Sequence, residues 1–343
     1  MDEEVPDEIT ERIRRRGGAA TIYDIAELAG VNPSTVSRAF SKPGRVNEHT
    51  EARIRAAADR LDFQFNPAAR ALPTGRSNTI GLIVADITNP VVFGIVRGAE
   101  RAASEAGYTL VFAESQESGD AEAQAVSRLL PSVDGVILAT TRLSDERIAA
   151  LAARKPVVLI NRRVDAVGSV IPDVDGGVRA LVSHLAELGH TSLGYLAGPE
   201  TSWISARRWE ALLDVTEEMG LGLVQVGQLA PTIDGGRDAL RPVRASRCTA
   251  VVAFNDLMAI GLIQAASASG VAVPGELSIA GFDDIFGSEL ISPALTTVRA
   301  DLESAGERAV GRILSHLRHE SSDQDDQLLQ TTLVVRQSTG LAP

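Results

Sequence analysis

The chain of 343 residues is long enough for more than one hydrophobic core, and with 44% hydrophobic and 23% charged residues it has a globular composition. No apolar run is long enough to cross a bilayer, and the first residues are acidic, unlike a secretion signal. A single cysteine, Cys248, excludes an internal disulfide and any zinc site built from several cysteines. These features predict a cytoplasmic protein with no membrane partner.

The net charge of −12 conceals two regions of opposite sign. Residues 12–76 carry six more positive than negative side chains, whereas residues 77–343 carry twelve more negative than positive ones. A basic part ahead of a larger acidic part is compatible with nucleic-acid binding by the first part alone.

Residues 1–20 are expected to form a disordered tail. They show no apolar periodicity, and residues 14–18, three arginines followed by two glycines, offer nothing to bury. A basic tail can touch phosphates, but a solvated terminus is the simpler interpretation.

A helix-turn-helix DNA-binding domain is predicted over residues 21–62. Its first helix places apolar residues on one face at helical spacing, with Thr21 as the N-cap and Asp24 completing a capping box. Gly30 stands where this helix must end and turn.

Two further helices complete the predicted domain. The second begins with Asn32 as the N-cap and Pro33 in its first turn. The third, over about residues 48–61, turns its apolar positions to the same small core. Two short helices joined by a tight turn, with a third as a brace, are typical of a helix-turn-helix.

The remaining chain predicts a hinge linker over residues 63–76 and an α/β domain over residues 77–343. Helix-length segments separate most of the apolar strands, which is typical of parallel sheets covered on both faces. Because so many strands exceed one doubly wound sheet, we expect two lobes with a ligand cleft between them. The predicted strands are residues 80–84, 109–113, 135–139, 157–160, 192–196, 223–227, 250–254 and 277–281.

No pattern in the sequence indicates an enzyme, a metal site or a cofactor. There is no P-loop, no G-x-G-x-x-G after the first strand, no G-x-S-x-G elbow, and the five histidines are scattered. Asp283 and Asp284 are adjacent on a strand and point to opposite faces, which argues against shared acid–base catalysis. We therefore expect no catalytic residues, no metal and no cofactor.

The second predicted helix has side chains that suit DNA. A recognition helix enters the major groove by its N-terminal end, and an arginine there can donate two hydrogen bonds to guanine. An ordinary solvated helix face is the alternative interpretation. The polar end of this helix presents Pro33, Ser34, Thr35, Ser37 and Arg38.

The stretch TIYDIAELAGVNPSTVSRAF at residues 21–40, followed by Val46, Asn47 and Thr50, resembles the LacI/GalR family of transcriptional regulators. The resemblance covers almost the whole chain from Thr21. It implies an N-terminal all-α helix-turn-helix head and a two-lobed effector domain, similar to type I periplasmic binding proteins, with parallel sheets. Further matching segments follow in the expected order at residues 66–72, 80–83, 89–90, 134–135, 254–256, 281–284, 295–298 and 333–336.

The resemblance also implies a homodimer that binds a pseudo-palindromic operator in double-stranded DNA. It places Pro33, Ser34 and Arg38 at base-reading positions. Backbone contacts, which set the register on the duplex without reading sequence, are implied for Tyr23, Thr35, Ser37, Asn47 and Thr50.

Within the linker, Ala69 and Leu72 fall on the family's minor-groove hinge, where Leu72 matches the leucine that opens a base step. Residues 67–72 span barely two helical turns, so we expect them to become helical only when two hinges meet on DNA. Pro73 departs from the family pattern and disfavours helical geometry at Leu72. A plain flexible linker is the other interpretation.

The resemblance also places an effector site in the cleft. Arg207, Asn255 and Asp283 can hydrogen-bond vicinal hydroxyls, and Trp203 or Phe93 can stack on a sugar ring, so we expect a carbohydrate effector. Alternatively, Asp283 braces a turn and Trp203 belongs to the core. The positions implied for the effector are Asp86, Phe93, Asn161, Arg162, Trp203, Arg207, Asn255 and Asp283.

These observations favour a ligand-responsive transcriptional regulator, expected to repress. A solute-binding protein without DNA function is one alternative, disfavoured by the basic head and the acidic first residues. An α/β enzyme fused to a helical module is the other, disfavoured by the missing catalytic motifs. We expect a dimer, because seven residues after Arg336 are too few for a tetramerising coiled coil.

Overall fold

The computed structural model describes residues 5–41, 44–63, 76–320 and 328–343. The chain divides into two units, Met1–Ser77 and Asn78–Pro343. Across the described ranges, no helix is both long and apolar enough to span a membrane.

The first unit consists of short helices. The first, α1, is Asp7–Arg15, followed by α2 (Ile22–Ala29), α3 (Pro33–Ser41) and α4 (Glu48–Arg60). The last three of these confirm the predicted helix-turn-helix and its brace.

The ends of these helices form where the sequence places capping residues. The Asp24 carboxylate accepts a hydrogen bond from the N–H of Thr21 at 2.8 Å, and α2 ends at Gly30 with φ 63°. Asn47 caps α4 by accepting from the N–H of His49 at 3.0 Å. The three helices then bury a small common core of Ile25, Ala26, Ala29, Val36, Ala39, Ile54, Ala57 and Ala58.

The prediction of a disordered tail over residues 1–20 is wrong for residues 7–15, which form α1. Ile9 is only 2% exposed, and Arg12 and Arg16 reach Asp24 of α2. The only apolar residues of α1 are Ile9 and Ile13, too few to form an apolar stripe, and the side chains that reach α2 are charged.

The second unit begins with a lobe built on a parallel sheet in the order β2-β1-β3-β4-β5. The strands are β1 (Thr79–Val84), β2 (Thr109–Glu114), β3 (Gly135–Ala139), β4 (Val157–Ile160) and β5 (Gly168–Val170). The connecting helices are α5 (Val91–Glu105), α6 (Gly119–Leu129) and α7 (Asp145–Ala152). β5 was not predicted, because it is only three residues long.

The other lobe contains a sheet in the order β11-β10-β9-β8-β6-β7. Its edge strand β11, which was not predicted, runs antiparallel to β10, and the other strands pair in parallel as expected. Its strands are β6 (Ser192–Ala197), β7 (Gly222–Gln228), β8 (Ala250–Ala253), β9 (Ser278–Phe282), β10 (Thr296–Ala300) and β11 (Thr331–Val334). Its helices are α8 (Val174–Glu187), α9 (Trp203–Glu218), α10 (Ile233–Asp238), α11 (Leu240–Ser246) and α12 (Asp256–Ala268).

The helix α13 (Leu302–Leu317) returns the chain to the first lobe, where its Ala305, Ala309 and Ile313 join the core. It packs closely on α5, since a Cβ added at Gly98 would lie 2.0 Å from the carbonyl oxygen of Glu303. The chain therefore passes between the lobes after β5, after β10 and again before β11. This interlacing holds the two lobes on either side of a cleft.

Candidate DNA-binding head and ligand cleft

Helix α3 turns one face to the core and the other to solvent. Val36 and Ala39 are buried, whereas Ser34, Ser37 and Arg38 are exposed; Pro33 and Thr35 are half-buried. The Arg38 guanidinium makes no hydrogen bond or ion pair with any residue that the structure describes. The outer face of α3 therefore carries an unengaged cationic group with several donors.

The residues expected to contact the DNA backbone differ in their exposure and in whether their side chains already make a hydrogen bond. Tyr23 is 66% exposed on α2, and Thr50 is half-buried on α4. Asn47 is exposed, but its side-chain oxygen already caps α4. The predicted hinge residues Ala69 and Leu72 lie outside the described residues.

A buried carboxylate joins α1 to α2. Asp24 is 0% exposed and accepts hydrogen bonds from Thr21 Oγ1 (2.7 Å), Arg12 Nε (3.1 Å) and Arg16 Nη2 (2.6 Å). Burial alone would raise the pKa of Asp24, but the hydrogen bonds from Thr21, Arg16 and Arg12 outweigh it and lower that pKa. The charged carboxylate thereby fixes the first turn of α2 to α1.

In the second unit, a cavity lies between the two lobes, beyond the carboxyl ends of several strands, where open α/β sheets bind ligands. The first lobe lines it with Ala85, Asp86, Asn89, Val91, Val92, Glu117, Thr140, Arg142 and Asn161. The other lobe contributes Ser202, Ile204, Arg208, Pro231, Phe254, Asn255 and Asp283.

Arg208 of α9 is a rigid part of the wall. Its side chain is 9% exposed, and its guanidinium lies 4.3 Å from the centre of the Phe282 ring and 5.3 Å from that of Phe254. It donates to the carbonyl oxygen of Phe254 and, at 3.1 Å, to Oδ1 of Asp283. A guanidinium held by two rings and a carboxylate presents its donors in one fixed direction.

Asp283, which pairs with Arg208, lies near a second carboxyl group, that of Asp256. Asp283 has φ 111°, a conformation rare outside glycine, and Asp256 is fully buried. The Asp256 carboxyl accepts from the hydroxyls of Thr297 and Ser288, each at 2.6 Å. Burial and the nearby Asp283 raise the pKa of Asp256 to about 8. Burial also raises the pKa of Asp283, against the opposing effect of Arg208.

Polar side chains in the first-lobe wall are also held by contacts within the protein. Arg142, 5% exposed, pairs with Glu117 at 2.6 Å. The Asp86 carboxylate accepts from the N–H of Thr88 at 2.7 Å and from its hydroxyl. Asn161 follows β4 with φ 59° and lines the cavity. The cavity thus has polar walls whose groups are held in place by their own neighbours.

The structure brings four of the eight predicted effector residues together in the cavity: Asp86, Asn161, Asn255 and Asp283. The other four are not among the residues that line it. Phe93 is 53% exposed on α5, and Arg162 pairs with Asp145 at 2.5 Å. Trp203 packs against the core of the second lobe and lines a different cavity with Arg207.

Arg208 lines this cavity, whereas its neighbour Arg207, the predicted effector residue, lines the other one. Arg207 pairs with Asp175 at 2.6 Å, whereas Arg208 lines the cleft. The helical pattern of α9 contained the signal, because Arg208 lies near the centre of the face formed by Ile204, Ala211 and Leu212, whereas Arg207 lies at its edge. Three further lining residues were not predicted, because each is an isolated polar residue in the loop after a strand: Asn89, Glu117 and Arg142.

The architecture and these two sites define a class: proteins with a helix-turn-helix head and a two-lobed ligand-binding domain. The model described as "Bacterial regulatory proteins, lacI family" matches residues 21–66. The model "Periplasmic binding protein-like domain" matches residues 182–339.

Known proteins match along nearly the whole chain. The HTH-type transcriptional regulator GalR of Escherichia coli is 30% identical over 329 residues, covering 93% of this chain and 95% of GalR. DegA of Bacillus subtilis is 32% identical over 335 residues, covering 93% and 98%.

Solved structures agree with this. A lac repressor dimer bound to operator and an anti-inducer has a TM-score of 0.84 at 27% identity, covering 94% of this chain and 99% of that one. A complex of the transcriptional regulator CelR with cellobiose has a TM-score of 0.68 at 27% identity, covering 93% and 99%. The chain belongs to the lacI family of bacterial regulatory proteins. It is a DNA-binding transcriptional regulator, and the predicted family and fold class are confirmed.

Proposed function

We propose that this chain is a repressor that binds a pseudo-palindromic operator as a homodimer and changes its operator affinity when a hydroxyl-rich small molecule binds between its lobes. The observation that carries the proposal is the unengaged Arg38 on the outer face of α3, in the same chain as a polar cleft. Two similar structures support the two parts of the proposal: the lac repressor dimer is bound to operator DNA, and CelR is bound to cellobiose.

For DNA, we assign base reading to Pro33, Ser34 and Arg38. Arg38 has two donors for the O6 and N7 atoms of guanine, and the Ser34 hydroxyl can donate or accept. The backbone contacts assigned to Tyr23, Thr35, Ser37, Asn47 and Thr50 set the register. Asn47 has a second task, since its side chain also caps α4.

For the homodimer, exposed apolar side chains on both lobes supply candidate contact surfaces. Phe112, on the edge strand β2, is 49% exposed, and Phe93 on α5 is 53% exposed. In the other lobe, Phe286 is 68% and Leu290 71% exposed. Large apolar groups left in water favour a covering partner, and a second copy of the chain is the partner that a two-fold operator requires.

For the ligand, we favour an uncharged compound with many hydroxyls, such as a carbohydrate. Three carboxylates and two arginines line the cavity, so neither sign of charge dominates. Fixed donors and acceptors at Arg208, Asp283 and Asn161 suit hydroxyl groups. Sugar stacking on Trp203 or Phe93 has no support, because neither side chain lines this cavity.

We assign no chemical step to the cleft. Its acidic groups are engaged by neighbours, Glu117 with Arg142 and Asp283 with Arg208, as expected for a binding wall. A solute-binding function alone does not account for the exposed polar face of α3.

The test has two arms with the full-length protein. In the first, selection from a random duplex library is expected to yield an inverted repeat, and recovery of unrelated sequences would contradict the DNA part. In the second, thermal unfolding is followed with a panel of sugars, sugar phosphates and nucleobases, and a sugar is expected to raise the melting temperature. Stabilisation by a nucleobase alone would contradict the ligand class.

A further inference from the structure

Helix α1 precedes the segment that the lacI family model matches, which starts at residue 21. It is nevertheless anchored to the DNA-binding head. Arg12 and Arg16, one turn apart, both donate to the buried carboxylate of Asp24, and Arg12 also reaches Glu27 at 2.5 Å. The helix is therefore an addition to the head that is held by ion pairs from two part-exposed arginines to one buried carboxylate.

These contacts also fix where the basic end of α1 lies. Arg16 donates to the hydroxyl of Thr21, the N-cap of α2, at 3.2 Å. Gly17 and Gly18, with φ 93° and 90°, then turn the chain, and the N–H of Gly18 closes the helix on the carbonyl oxygen of Ile13 at 3.0 Å. The last turn of α1 thus lies beside the first turn of α2.

Two arginines in this last turn are free of the anchoring contacts. Arg14 is exposed and makes no side-chain hydrogen bond or ion pair with the described part of the chain. Arg15 is 82% exposed on its side chain and has a 3.5 Å pair with Glu11, itself 67% exposed. An exposed pair of this kind contributes little, so both guanidinium groups are available to another anion.

Acidic and basic side chains lie at opposite ends of α1. Asp7 and Glu8 lie in its first turn, whereas the arginines lie in its last. In a helix-turn-helix, the first helix crosses the DNA backbone, and here that helix is α2 with Tyr23 exposed. The basic end of α1 is therefore next to the element that lies on the phosphates, and the acidic end is at the other end of the helix.

From this arrangement we propose that Arg14 and Arg15 contact DNA phosphates outside the half-site that α3 reads. This inference rests on the proposed DNA-binding function and extends the DNA interface beyond the segment shared with the family. Phosphate contacts carry no sequence information, so α1 adds affinity without changing base preference.

The experiment measures binding of the full-length protein to its selected duplex and to a random duplex across a salt series. The double variant Arg14→Ala/Arg15→Ala is expected to flatten the plot of log affinity against log salt by about 0.9 per lost contact. Affinity for both duplexes should fall by the same factor. Arg14→Lys/Arg15→Lys keeps the charges and is expected to keep the slope.

The matched control is Arg241→Ala/Arg244→Ala, which removes two exposed arginines from α11 in the second unit. A slope that is unchanged in the Arg14/Arg15 alanine variant, as in this control, would overturn the inference, as would equal flattening in the lysine variant. If Arg38→Ala still loses base preference in that case, the proposed function stands and the α1 contact alone is wrong. A wild-type protein without preference for any duplex would instead refute the proposed function.

Discussion

The outer face of α3 and the wall of the cleft present their polar groups in opposite ways. Arg38 is exposed and has no partner within the described ranges, whereas Arg142 and Arg208 are buried and already paired with Glu117 and Asp283. A group that gains its partner only in a complex contributes to binding and not to folding. A group held in a buried network contributes to both, because losing it leaves a charge uncompensated.

The neighbouring arginines of α9 give the largest expected effect. Arg208→Ala leaves Asp283 buried and unpaired, and it should lower the free energy of unfolding of the second unit by about 3–5 kcal/mol. Arg207→Ala removes a pair with Asp175, which is 61% exposed, and should cost less than about 1 kcal/mol. Urea unfolding of both variants measures this, and equal losses would contradict the placement of Arg208 in the wall.

The pH dependence of the two units should have opposite signs. The pKa of Asp24 is lowered in the head, so its contribution to stability is present above the ordinary value of 3.8 and is lost as pH falls through the folded pKa. The pKa of Asp256 is raised to about 8, so its contribution is present below 3.8 and is lost as pH rises from there to about 8.

Calorimetry from pH 3 to 9 follows both units. We expect the melting temperature of the head to fall as pH drops below 3.8, and that of the second unit to fall as pH rises from 3.8 towards 8. Asp256→Asn should weaken the second trend, to which Asp283 also contributes, and leave the first unchanged. A second unit that becomes more stable between pH 5 and 8 would contradict the raised pKa of Asp256.

Replacing Arg38 affects binding without affecting folding. Arg38→Ala should cost about 1–3 kcal/mol of discrimination at one base pair of each half-site and leave the melting temperature of the head unchanged. Arg55→Ala, which removes another head arginine, one paired with Glu51 at 2.7 Å, is the matched control. A uniform loss on all duplexes would mean that Arg38 contacts phosphate and does not read a base.

Substitution of Asn47 has the smallest expected effect, and two different variants separate its capping role from its proposed DNA contact. Asn47→Ala removes the N-cap of α4 and should lower the stability of the head by about 1 kcal/mol. Asn47→Ser should restore the cap, and it should still bind the operator more weakly if the amide also contacts the backbone. Full recovery of operator affinity in the serine variant would leave Asn47 with the capping role alone.

The sequence predicted the helix-turn-helix closely because its signals are local: Thr21 and Asn32 before the first two helices, a stop at Gly30, and apolar residues at helical spacing. It missed α1 because that helix is anchored by Asp24, a residue of the following helix. It missed β5, β10 and β11 because β5 is only three residues long and none of the three is the continuous apolar run by which the other strands were predicted.

In the cleft, the family resemblance predicted Asp86, Asn161, Asn255 and Asp283, which lie close to strand ends, where parallel strands bring their carboxyl ends to one edge. The resemblance gave no effector position at Arg208, although the buried face of α9, which includes Ile204 and Leu212, is centred near it. A shift of one position around a helix turns a side chain by ~100°, which separates Arg207 from Arg208.

The head and the cleft belong to one regulator only if the occupancy of one changes the affinity of the other. Operator affinity of the full-length protein should therefore be measured with and without the sugar that raises its melting temperature. We expect a change of about 5- to 150-fold in the wild type and none in Arg208→Lys, which disrupts the fixed donor geometry. A sugar that stabilises the second unit while operator affinity stays constant would show that the two sites are uncoupled.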